Sequence, residues 1–590
     1  MASEADCLVP PRWQAEWDEE AGLWWCEGPG HTPPVNALAR VHSAPKAAAR
    51  LLLTAQADLL DAVDVSRVLA TLRGLQGTEG PFRGVSRWFW EEDILYDSNA
   101  AFFIGLNLLV LWLGYRERLA PADRATLRAY FTELRYWFTR SMCERAYYYP
   151  NKTLGDLVCA WLLEEILGPV SADDSHELQQ LMREAATYWQ EQEWGWGEHL
   201  SDIYAQVCLD QLSVLLLLST RLPDELRAQY TALFTELLAI DDAFAAGPRV
   251  PTFRSYAFTE SPTRLQYRER IHPHEGSAID ELVDAIPVGP TLYRAGWCEW
   301  APASPPPQSD VQVPCFNGST AIARIEDDIR LGSASRVPLM PSGEHLLWGM
   351  SWMCFSPVLW RPAGDWGFMQ WATREDGHGH SHPEELVRSY IGQSLTQRVL
   401  PPVVGRSWCI QHGGQLIALR IMPAIPTSWE YLADRFRLVN SHAEVDVLPA
   451  SEPLARLETI TAGRANLAHD AVAAWSRVRL TYPERQVSIH CLPLTSAATP
   501  SLLHRDNGLL DWEVAHTAEE LTARRAMVTL WAINLDGDIT EPPSITPYLQ
   551  YLDVPRSLEE RTWRLTWHWP GYDWQLIVDP LAAQALVEVS

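Results

Sequence analysis

The sequence has almost no lysine and lacks the motifs of the common nucleotide- and metal-dependent enzymes. Of its 590 residues, 47 are lysine or arginine and 75 are aspartate or glutamate, and only Lys46 and Lys152 are lysine. The formal net charge of −28 argues against duplex nucleic acid or an anionic membrane as the main partner, because both are negatively charged. A phosphate-binding glycine loop, a Gly-x-Ser-x-Gly elbow and a His-Glu-x-x-His pair are all missing. No dinucleotide-binding glycine fingerprint follows a predicted strand.

Long apolar runs, a secretion leader and paired cysteines are also missing. The N-terminal residues show no basic segment followed by a continuous apolar stretch. The apolar stretches 102–113 and 207–218 are too short to span a bilayer. The ten cysteines are scattered without a Cys-x-x-Cys pair, so we expect neither a zinc framework nor disulfides, and several cysteines in apolar cores. The expectation is a reduced, cytoplasmic protein with no membrane partner.

The first half of the chain has the apolar periodicity of helices. From about residue 47 to 246, apolar residues recur at spacings of three and four in seven successive blocks. Pro121 and Pro223 fall in early helical turns, with Asp123 and Asp224 near the positive end of the helix dipole. Short connections make neighbouring helices antiparallel, which fits a bundle, a solenoid or a closed ring of helix pairs.

The second half has the pattern of strands. The proline-rich segment 300–314 cannot continue a helix and is typical of an interdomain connection. Beyond it, alternating segments such as 415–425, 486–494 and 526–535 are bounded by Pro, Gly, Asn or Asp and predict a large antiparallel sandwich. We therefore predict an α+β multidomain protein. Its predicted parts are an N-terminal extension (1–45), a helical domain (46–290), a linker (291–315) and an antiparallel β-sandwich domain (316–590).

A polar segment lies at a predicted helix entrance. Glu198, Ser201 and Tyr204 are three residues apart, so on a helix each would be displaced by about 60° from the last, forming a slowly turning stripe. His199 lies beside the stripe, and an imidazole ordinarily titrates near neutrality. These side chains could point into a cavity. The alternative is a helix N-terminus where Ser201 or Glu198 caps the backbone and Tyr204 packs.

Two asparagines occupy the starts of other predicted helices. Asn99 precedes an apolar helix, and capping is the commonest role of asparagine there. The functional alternative is an amide that donates a hydrogen bond to a substrate carboxylate or carbonyl. Asn151 and Lys152 enter another helix directly after three tyrosines and a proline.

Arginines interleaved with tyrosines follow the helical half and include Arg254, Tyr256 and Arg268. Such a group suits an anionic or carbohydrate ligand through forked hydrogen bonds and ring stacking. The alternative is that the arginines pair with carboxylates from the other domain. Flat tryptophan faces suit sugar rings, although most of the 28 tryptophans are expected in cores or a domain interface. The candidates are Trp88, Trp90, Trp194 and Trp196.

A histidine-rich run lies in the second half. His378, His380 and His382 occupy alternate positions, so in an extended chain they would project to one side and could bind zinc or a related ion. The alternatives are a solvent loop and an imidazole that reaches the cleft of the helical domain for acid–base chemistry.

The helix-entrance motifs resemble those of a known family. The segment Glu198-x-x-Ser201-x-x-Tyr204 is similar to a Glu-x-x-Ser-x-x-Tyr helix pattern of heparinase II/III-type polysaccharide lyases. Asn99 is similar to the Asn of their Ser-Glu-Asn-His helix start, with Ala100 in place of the His. The order of a helical half and a strand-rich half resembles their architecture too. The resemblance implies an incomplete α/α toroid of helix hairpins followed by a large antiparallel β-sandwich.

The resemblance further implies β-elimination next to a uronate carboxyl group. Asn99, with Asn151 or Arg254, would neutralise the carboxylate and make the adjacent C–H more acidic. Tyr204, with its pKa lowered by nearby arginines, or His199 would remove that proton, and Tyr204 could return one to the leaving oxygen. The implied substrate-binding group is Glu198, Arg254, Tyr256, Arg268, Trp88, Trp90, Trp194 and Trp196. No cofactor is required, and a zinc ion at His378, His380 and His382 would be structural.

Two other kinds of function stay open. An enzyme on the same toroid could cyclise or isomerise a secondary metabolite, or hydrolyse a glycosidic bond with paired carboxylates. The candidate carboxylates are Glu91, Glu92, Asp93 and Glu198. A non-catalytic carbohydrate-binding protein is the third function, and the missing His at position 100 favours it. We expect a carbohydrate or another small molecule as partner, and a homodimer stays open.

Overall fold

The structure is a computed structural model. It describes residues 11–28, 30–32, 34–35, 37–254, 267–268, 309–337, 339, 354–375, 378–380, 405–423, 429–439, 441–448, 476–493, 500–504, 509–517, 526–535, 544–549, 563–569, 572–579 and 584–589.

The described residues form two compact units. The first comprises residues 11–245 with 267–268, and the second comprises 246–254 and the described residues from 309 onward. A helical region is followed by large antiparallel sheets, so the predicted α+β fold class is confirmed. The predicted domain boundaries stay predictions. The first strand of the second unit, Asp310–Cys315, occupies the end of the predicted linker.

The seven helices predicted from periodicity are all present, and the structure adds a further long one, Val65–Leu75. The helices are α1 (Pro11–Glu16), α2 (Ala44–Gln56), α3 (Val65–Leu75), α4 (Ala100–Tyr115), α5 (Pro121–Ser141), α6 (Pro150–Leu167), α7 (Ala172–Glu191), α8 (Tyr204–Leu218) and α9 (Asp224–Ala243).

Successive helices alternate between an inner and an outer layer, as in an incomplete α/α toroid. In the inner layer α2 packs on α4, α4 on α6 and α6 on α8. In the outer layer α3 packs on α5 and α7 on α9. The apolar composition explains the division: α4, α6 and α8 are buried along most of their length, whereas α5, α7 and α9 bury one face only.

The predicted N-terminal extension is part of the first unit. Its short strands are β1 (Trp17–Asp18), β2 (Leu23–Glu27) and β3 (Arg40–His42), which form one antiparallel sheet. Leu23, Trp24 and Val41 lie in the same buried cluster as the apolar faces of the helices. Residues of this segment can therefore contribute to a site in the helical region.

One described stretch, Ala100–Arg118, is long and apolar enough to cross a membrane by length and composition. Of its most apolar window, 67% is buried inside the protein, as for the core helix of a folded domain. This stretch is therefore weak evidence for a membrane span.

The second unit contains three antiparallel sheets. The nine-stranded sheet contains, in spatial order, β17 (Ser501–His504), β18 (Leu510–Thr517), β13 (Trp429–Val439), β9 (Trp366–Glu375), β8 (Val358–Trp360), β6 (Arg330–Ala334), β5 (Ser319–Ile325) and β4 (Asp310–Cys315), with β10 (His378–His380) beside β9. The seven-stranded sheet contains β14 (Glu444–Leu448), β15 (Ser476–Thr481), β16 (Gln486–Pro493), β19 (Ala526–Asn534), β12 (Gln415–Pro423), β11 (Arg406–His412) and β7 (Arg336–Val337). The four-stranded sheet contains β20 (Ser544–Leu549), β21 (Trp563–Trp569), β22 (Tyr572–Asp579) and β23 (Gln584–Val589).

The two larger sheets share one core, which makes them a sandwich. Phe436 of the nine-stranded sheet and Leu416 of the seven-stranded sheet belong to the same buried cluster. Trp512 and Trp531, one from each sheet, meet edge to face with ring centroids 5.2 Å apart. The predicted antiparallel sandwich is therefore confirmed.

Candidate functional site

The N-terminal ends of the inner helices come together at one end of the helical region. Asn99 immediately precedes α4, Asn151 is the second residue of α6, and Tyr204 is the first residue of α8. One outer helix runs back between each inner helix and the next, so α4, α6 and α8 run parallel and begin at the same end. Contacts between the helix starts confirm this arrangement and bring together residues that the sequence analysis selected separately.

Asn99 contacts Tyr149, which is not among the predicted site residues. The Asn99 side-chain amide donates a hydrogen bond from Nδ2 to the Tyr149 hydroxyl oxygen over 3.0 Å. Tyr149 is the residue immediately before α6, and its ring lies 4.6 Å from that of Trp196. The Asn99 side chain makes no capping hydrogen bond to α4, so the favoured capping interpretation was wrong.

Asn151 is held by Glu198. The backbone N–H of Asn151 donates to Glu198 Oε2 over 2.6 Å, and its amide Nδ2 donates to Glu198 Oε1. The carbonyl oxygen of Asn151 accepts a hydrogen bond from Gln211 Nε2 over 2.7 Å. Both Asn151 and Glu198 are buried, so Glu198 acts as a carboxylate cap on the first turn of α6. Lys152, the next residue in sequence, forms an ion pair with Asp156, and its Nζ lies 2.5 Å from Oδ2.

The predicted helical stripe through Glu198, Ser201 and Tyr204 is wrong. Glu198–Leu200 form a short 3-10 helix, Ser201 has an extended backbone, and α8 begins only at Tyr204. Ser201 Oγ accepts hydrogen bonds from the backbone N–H groups of Ile203 (3.2 Å) and Tyr204 (3.0 Å). Ser201 therefore organises the start of α8, and Tyr204 is half-buried there.

His199 and two of the candidate tryptophans are buried. His199 is 2% exposed, Trp194 1% and Trp196 0%. Trp194 stacks on Trp189 with nearly parallel rings 5.7 Å apart, and Trp196 packs on Tyr149. The two glycines of this segment are required by its backbone. Gly195 and Gly197 have positive backbone φ angles, and a side chain at Gly195 would collide with the backbone of Tyr148.

The other two candidate tryptophans lie on the segment that leads to Asn99. Trp88 is buried and donates from Nε1 to Asp97 Oδ2 over 3.1 Å, whereas Trp90 is 37% exposed. Asp97 Oδ1 accepts a hydrogen bond from the backbone N–H of Asn99 over 2.9 Å. Asp97 therefore fixes the approach of this segment to the start of α4.

The arginines predicted to bind substrate have different surroundings. Arg268 forms a two-fold ion pair with Asp242 of α9, with distances of 2.6 Å from Nε to Oδ1 and 2.9 Å from Nη2 to Oδ2. Arg268 thus pairs with a carboxylate, as the alternative predicted, but that carboxylate belongs to the first unit and not to the other domain. Arg254 is buried in the second unit with a backbone φ of 51°. Tyr256 lies outside the described residues.

The carboxylates considered for hydrolysis have protein partners. Glu91 accepts hydrogen bonds from the His42 backbone and ring, with 2.7 Å from Nδ1 to Oε1. Glu92 is buried and accepts from Thr32 and from the Phe89 backbone. Burial raises the pKa of Glu92. Asp93 is exposed and accepts from the Tyr96 hydroxyl, while Glu198 caps α6.

The histidine-rich run is described only in part. His378 and His380 lie in β10, where they pair in register with Glu375 and Thr373 of β9. His382 lies outside the described residues, so the metal site stays a prediction. Within the described part of the chain, no group of three His, Cys, Asp or Glu residues is placed to hold a metal ion.

Comparison with known proteins finds distant similarity to solved structures only. No protein-family profile and no curated protein sequence matches the chain. A crystal structure of heparinase III is 9% identical, with a TM-score of 0.39, and the match covers 92% of this chain and 82% of that one. A heparinase III gene product is 8% identical with a TM-score of 0.33, covering 92% and 84%. The same product with methylated lysines is 9% identical with a TM-score of 0.30, covering 84% and 73%.

Proposed function

We propose that this protein is a carbon–oxygen lyase that cleaves a uronate-containing polysaccharide or oligosaccharide by β-elimination. One observation carries the proposal: the Asn99 amide and the Tyr149 hydroxyl are hydrogen-bonded at the adjoining starts of α4 and α6. Elimination next to a carboxylate needs a group that neutralises the carboxylate and a second group that accepts the adjacent proton. An amide and a phenol in contact supply both.

The helix starts favour an anion at this place. The N-terminal end of a helix has a positive partial charge, which attracts a carboxylate, and at α4 and α6 the first N–H groups are already paired with the carboxylates of Asp97 and Glu198. Asn99 keeps a second amide hydrogen, which can be donated to the substrate carboxylate while the first is donated to Tyr149. This interaction would grow in the transition state, where negative charge spreads from the reacting carbon to the carboxylate.

Tyr149, buried at 8% exposure, is the tyrosine that contacts Asn99, and we take it as the base. The Asn99 amide donates a hydrogen bond to the phenolic oxygen of Tyr149 and so holds that oxygen beside the group that would bind the carboxylate. Tyr149 would take the proton from C5 of the uronate, the electron pair would form the C4–C5 double bond, and the C4–O bond would break as the leaving oxygen takes up a proton to become a hydroxyl. Tyr204, held at the start of α8 through Ser201, stays as the alternative base.

The test is direct. The protein is incubated with hyaluronan, alginate, polygalacturonate and heparan sulfate, and the ultraviolet absorbance of the unsaturated uronate product is followed. New reducing ends without that absorbance would indicate hydrolysis, and binding without either would indicate a carbohydrate-binding protein. No absorbance with any polymer contradicts the proposal.

Variants then test the site. We expect Asn99→Ala and Tyr149→Phe each to lower kcat/KM by about 100-fold or more, as removal of a transition-state donor or a general base does. Tyr136→Phe is the matched control, because Tyr136 lies on the outer helix α5 with 48% exposure. Full activity of Tyr149→Phe with loss of activity in Tyr204→Phe would assign the base to Tyr204.

A further inference from the structure

An accessible imidazole, that of His31, lies in the N-terminal segment that precedes α2 and contacts the residues leading to Asn99. His31 packs edge to face on Trp88, with ring centroids 4.6 Å apart, and lies 5.4 Å from the Phe89 ring. Its Nε2 is 3.8 Å from Asp97 Oδ2, and the two side chains are 35% and 34% exposed. His31 can therefore exchange protons with solvent, unlike the buried His199.

A continuous set of contacts joins His31 to the proposed base. Asp97 faces His31 through Oδ2, and its Oδ1 accepts the backbone N–H of Asn99 over 2.9 Å. The Asn99 side chain in turn donates to the Tyr149 hydroxyl over 3.0 Å. These contacts connect the imidazole, the amide and the phenol, which lie on three separate segments of chain.

The charged groups that face His31 are acidic. Asp97 is one, and Glu92 is the other, held by Thr32 next to His31 in sequence. Arg87 is nearby but donates to the carbonyl oxygen of Glu92. Asp97 is the carboxylate in contact with the imidazole, with its Oδ2 3.8 Å from His31 Nε2.

We propose that His31 is the proton donor to the leaving oxygen in this elimination site. The inference rests on the proposed lyase function. Tyr149 takes the C5 proton, the C4–C5 double bond forms as the C4–O bond breaks, and the leaving oxygen takes a proton from the His31 imidazolium. Tyr149 then releases its proton to solvent and His31 regains one, so no net proton is consumed. The products are an unsaturated uronate end and a new hydroxyl on the leaving sugar.

The experiment compares His31→Gln with His176→Gln in the full chain, on whichever polymer the parent protein cleaves. Glutamine keeps hydrogen-bonding capacity but cannot carry the proton, so we expect kcat to fall about 100-fold or more, with KM changed less than about three-fold. An imidazole donor also produces a limb in the pH profile of kcat between about pH 5 and 8, and this limb should vanish in His31→Gln. His176, exposed on the outer helix α7, should leave both properties unchanged.

The outcomes separate this inference from the lyase proposal. A parent protein that cleaves no uronate polymer contradicts both. An active parent whose His31→Gln variant keeps the parent kcat and pH profile contradicts only the role of His31. If His31→Gln does not fold, as judged by circular dichroism, His31→Asn takes its place. In the unmodified protein the His31 ring signals in nuclear magnetic resonance spectra must also shift when sodium glucuronate is added, and unchanged signals would overturn the inference.

Discussion

Glu198 stabilises a helix start that lies 47 residues away in the chain. Its carboxylate accepts both the backbone N–H and the side-chain amide of Asn151, inside a region closed to solvent. Arg268 and Asp242 are a second example, since their ion pair joins α9 to a segment 26 residues further along. At the scale of single residues, buried polar groups of the first unit fix the ends of helices.

Removing the Glu198 carboxylate should therefore destabilise the protein. We expect Glu198→Ala to lower the free energy of unfolding by about 2–3 kcal/mol, because two buried donors of Asn151 lose their acceptor. Urea-induced unfolding measures the change. Glu191→Ala is the control, since Glu191 is exposed at the end of α7 and should change stability by less than about 0.5 kcal/mol. Equal stability of the two variants would contradict the capping role.

Only part of the candidate site could be predicted from residue patterns. The sequence indicated Asn99, Asn151, Glu198 and Tyr204 because each lies at a helix start, and the structure brings these starts together. Tyr149 was not selected, because its contact with Asn99 joins residues 50 apart and leaves no local signal. His31 was overlooked for the same reason, since only the folded chain places it beside Asp97.

At the scale of elements, periodic apolar residues predicted the seven helices, and α3 was missed. The helix α3 has only 11 residues, and in the sequence its apolar pattern runs closely after that of α2. Helix ends were harder to predict, because they depend on partners from other elements. Glu165 is such a partner: near the end of α6, it accepts hydrogen bonds from Trp161, Ser219, Thr220 and Arg221.

Glu165 should make the protein sensitive to acid. Burial alone would raise the pKa of Glu165, but hydrogen bonds led by that of Ser219 outweigh burial and lower it below the ordinary value of 4.5. The stabilisation is therefore complete above about pH 4.5, where the unfolded chain is also ionised, and is lost as the pH falls through the lower folded-state pKa. We expect the parent protein to lose more stability than Glu165→Gln between pH 7 and acidic pH. Unfolding free energies measured across this range check the prediction, with Glu177→Gln on the exposed face of α7 as the control.

Asp434 of β13 joins the two large sheets. Its Oδ1 accepts from Arg420 Nε of β12 over 2.7 Å, and its Oδ2 accepts from Trp531 Nε1 of β19 over 2.9 Å and from Thr529. Asp434 and Arg420 are both buried, so Asp434→Ala leaves an unpaired charge and should cost about 3–5 kcal/mol.

Unfolding in denaturant measures this cost. Asp446→Ala on the exposed part of β14 should cost little. The double variant Arg420→Met with Asp434→Leu should recover most of the stability, because it removes both charges. A double variant as unstable as Asp434→Ala would show that the pair contributes more than mutual neutralisation.

At the scale of the whole molecule, two units each have a core of their own. Leu109 is fully buried in the cluster of the first unit, and Ile533 is fully buried in the sandwich core of the second. We expect two calorimetric transitions. Leu109→Ala should lower the midpoint of one and Ile533→Ala that of the other, each by an amount that corresponds to about 2–5 kcal/mol. A single transition shifted by both variants would show that the units unfold together.

The net charge of −28 also has a consequence for the proposed substrate. A uronate polymer is itself negative, so the two repel each other over distances that salt shortens, from about 30 Å at 0.01 M to about 10 Å at 0.1 M. We expect kcat/KM for a long uronate polymer to increase over this range, while that for a short uronate oligosaccharide changes less. Steady-state rates at the two ionic strengths measure the effect. A decrease would indicate a locally basic approach to the site.

The pair Trp189 and Trp194 gives the candidate site an optical signature. Their ring centroids are 5.7 Å apart and the ring planes only 5° from parallel, close enough for the electronic transitions of the two rings to couple. Such coupling splits an absorption band into two circular dichroism components of opposite sign. Trp194 lies four residues before Glu198. Loss of the two circular dichroism components would therefore show, without any label, that the turn carrying Glu198 has unfolded.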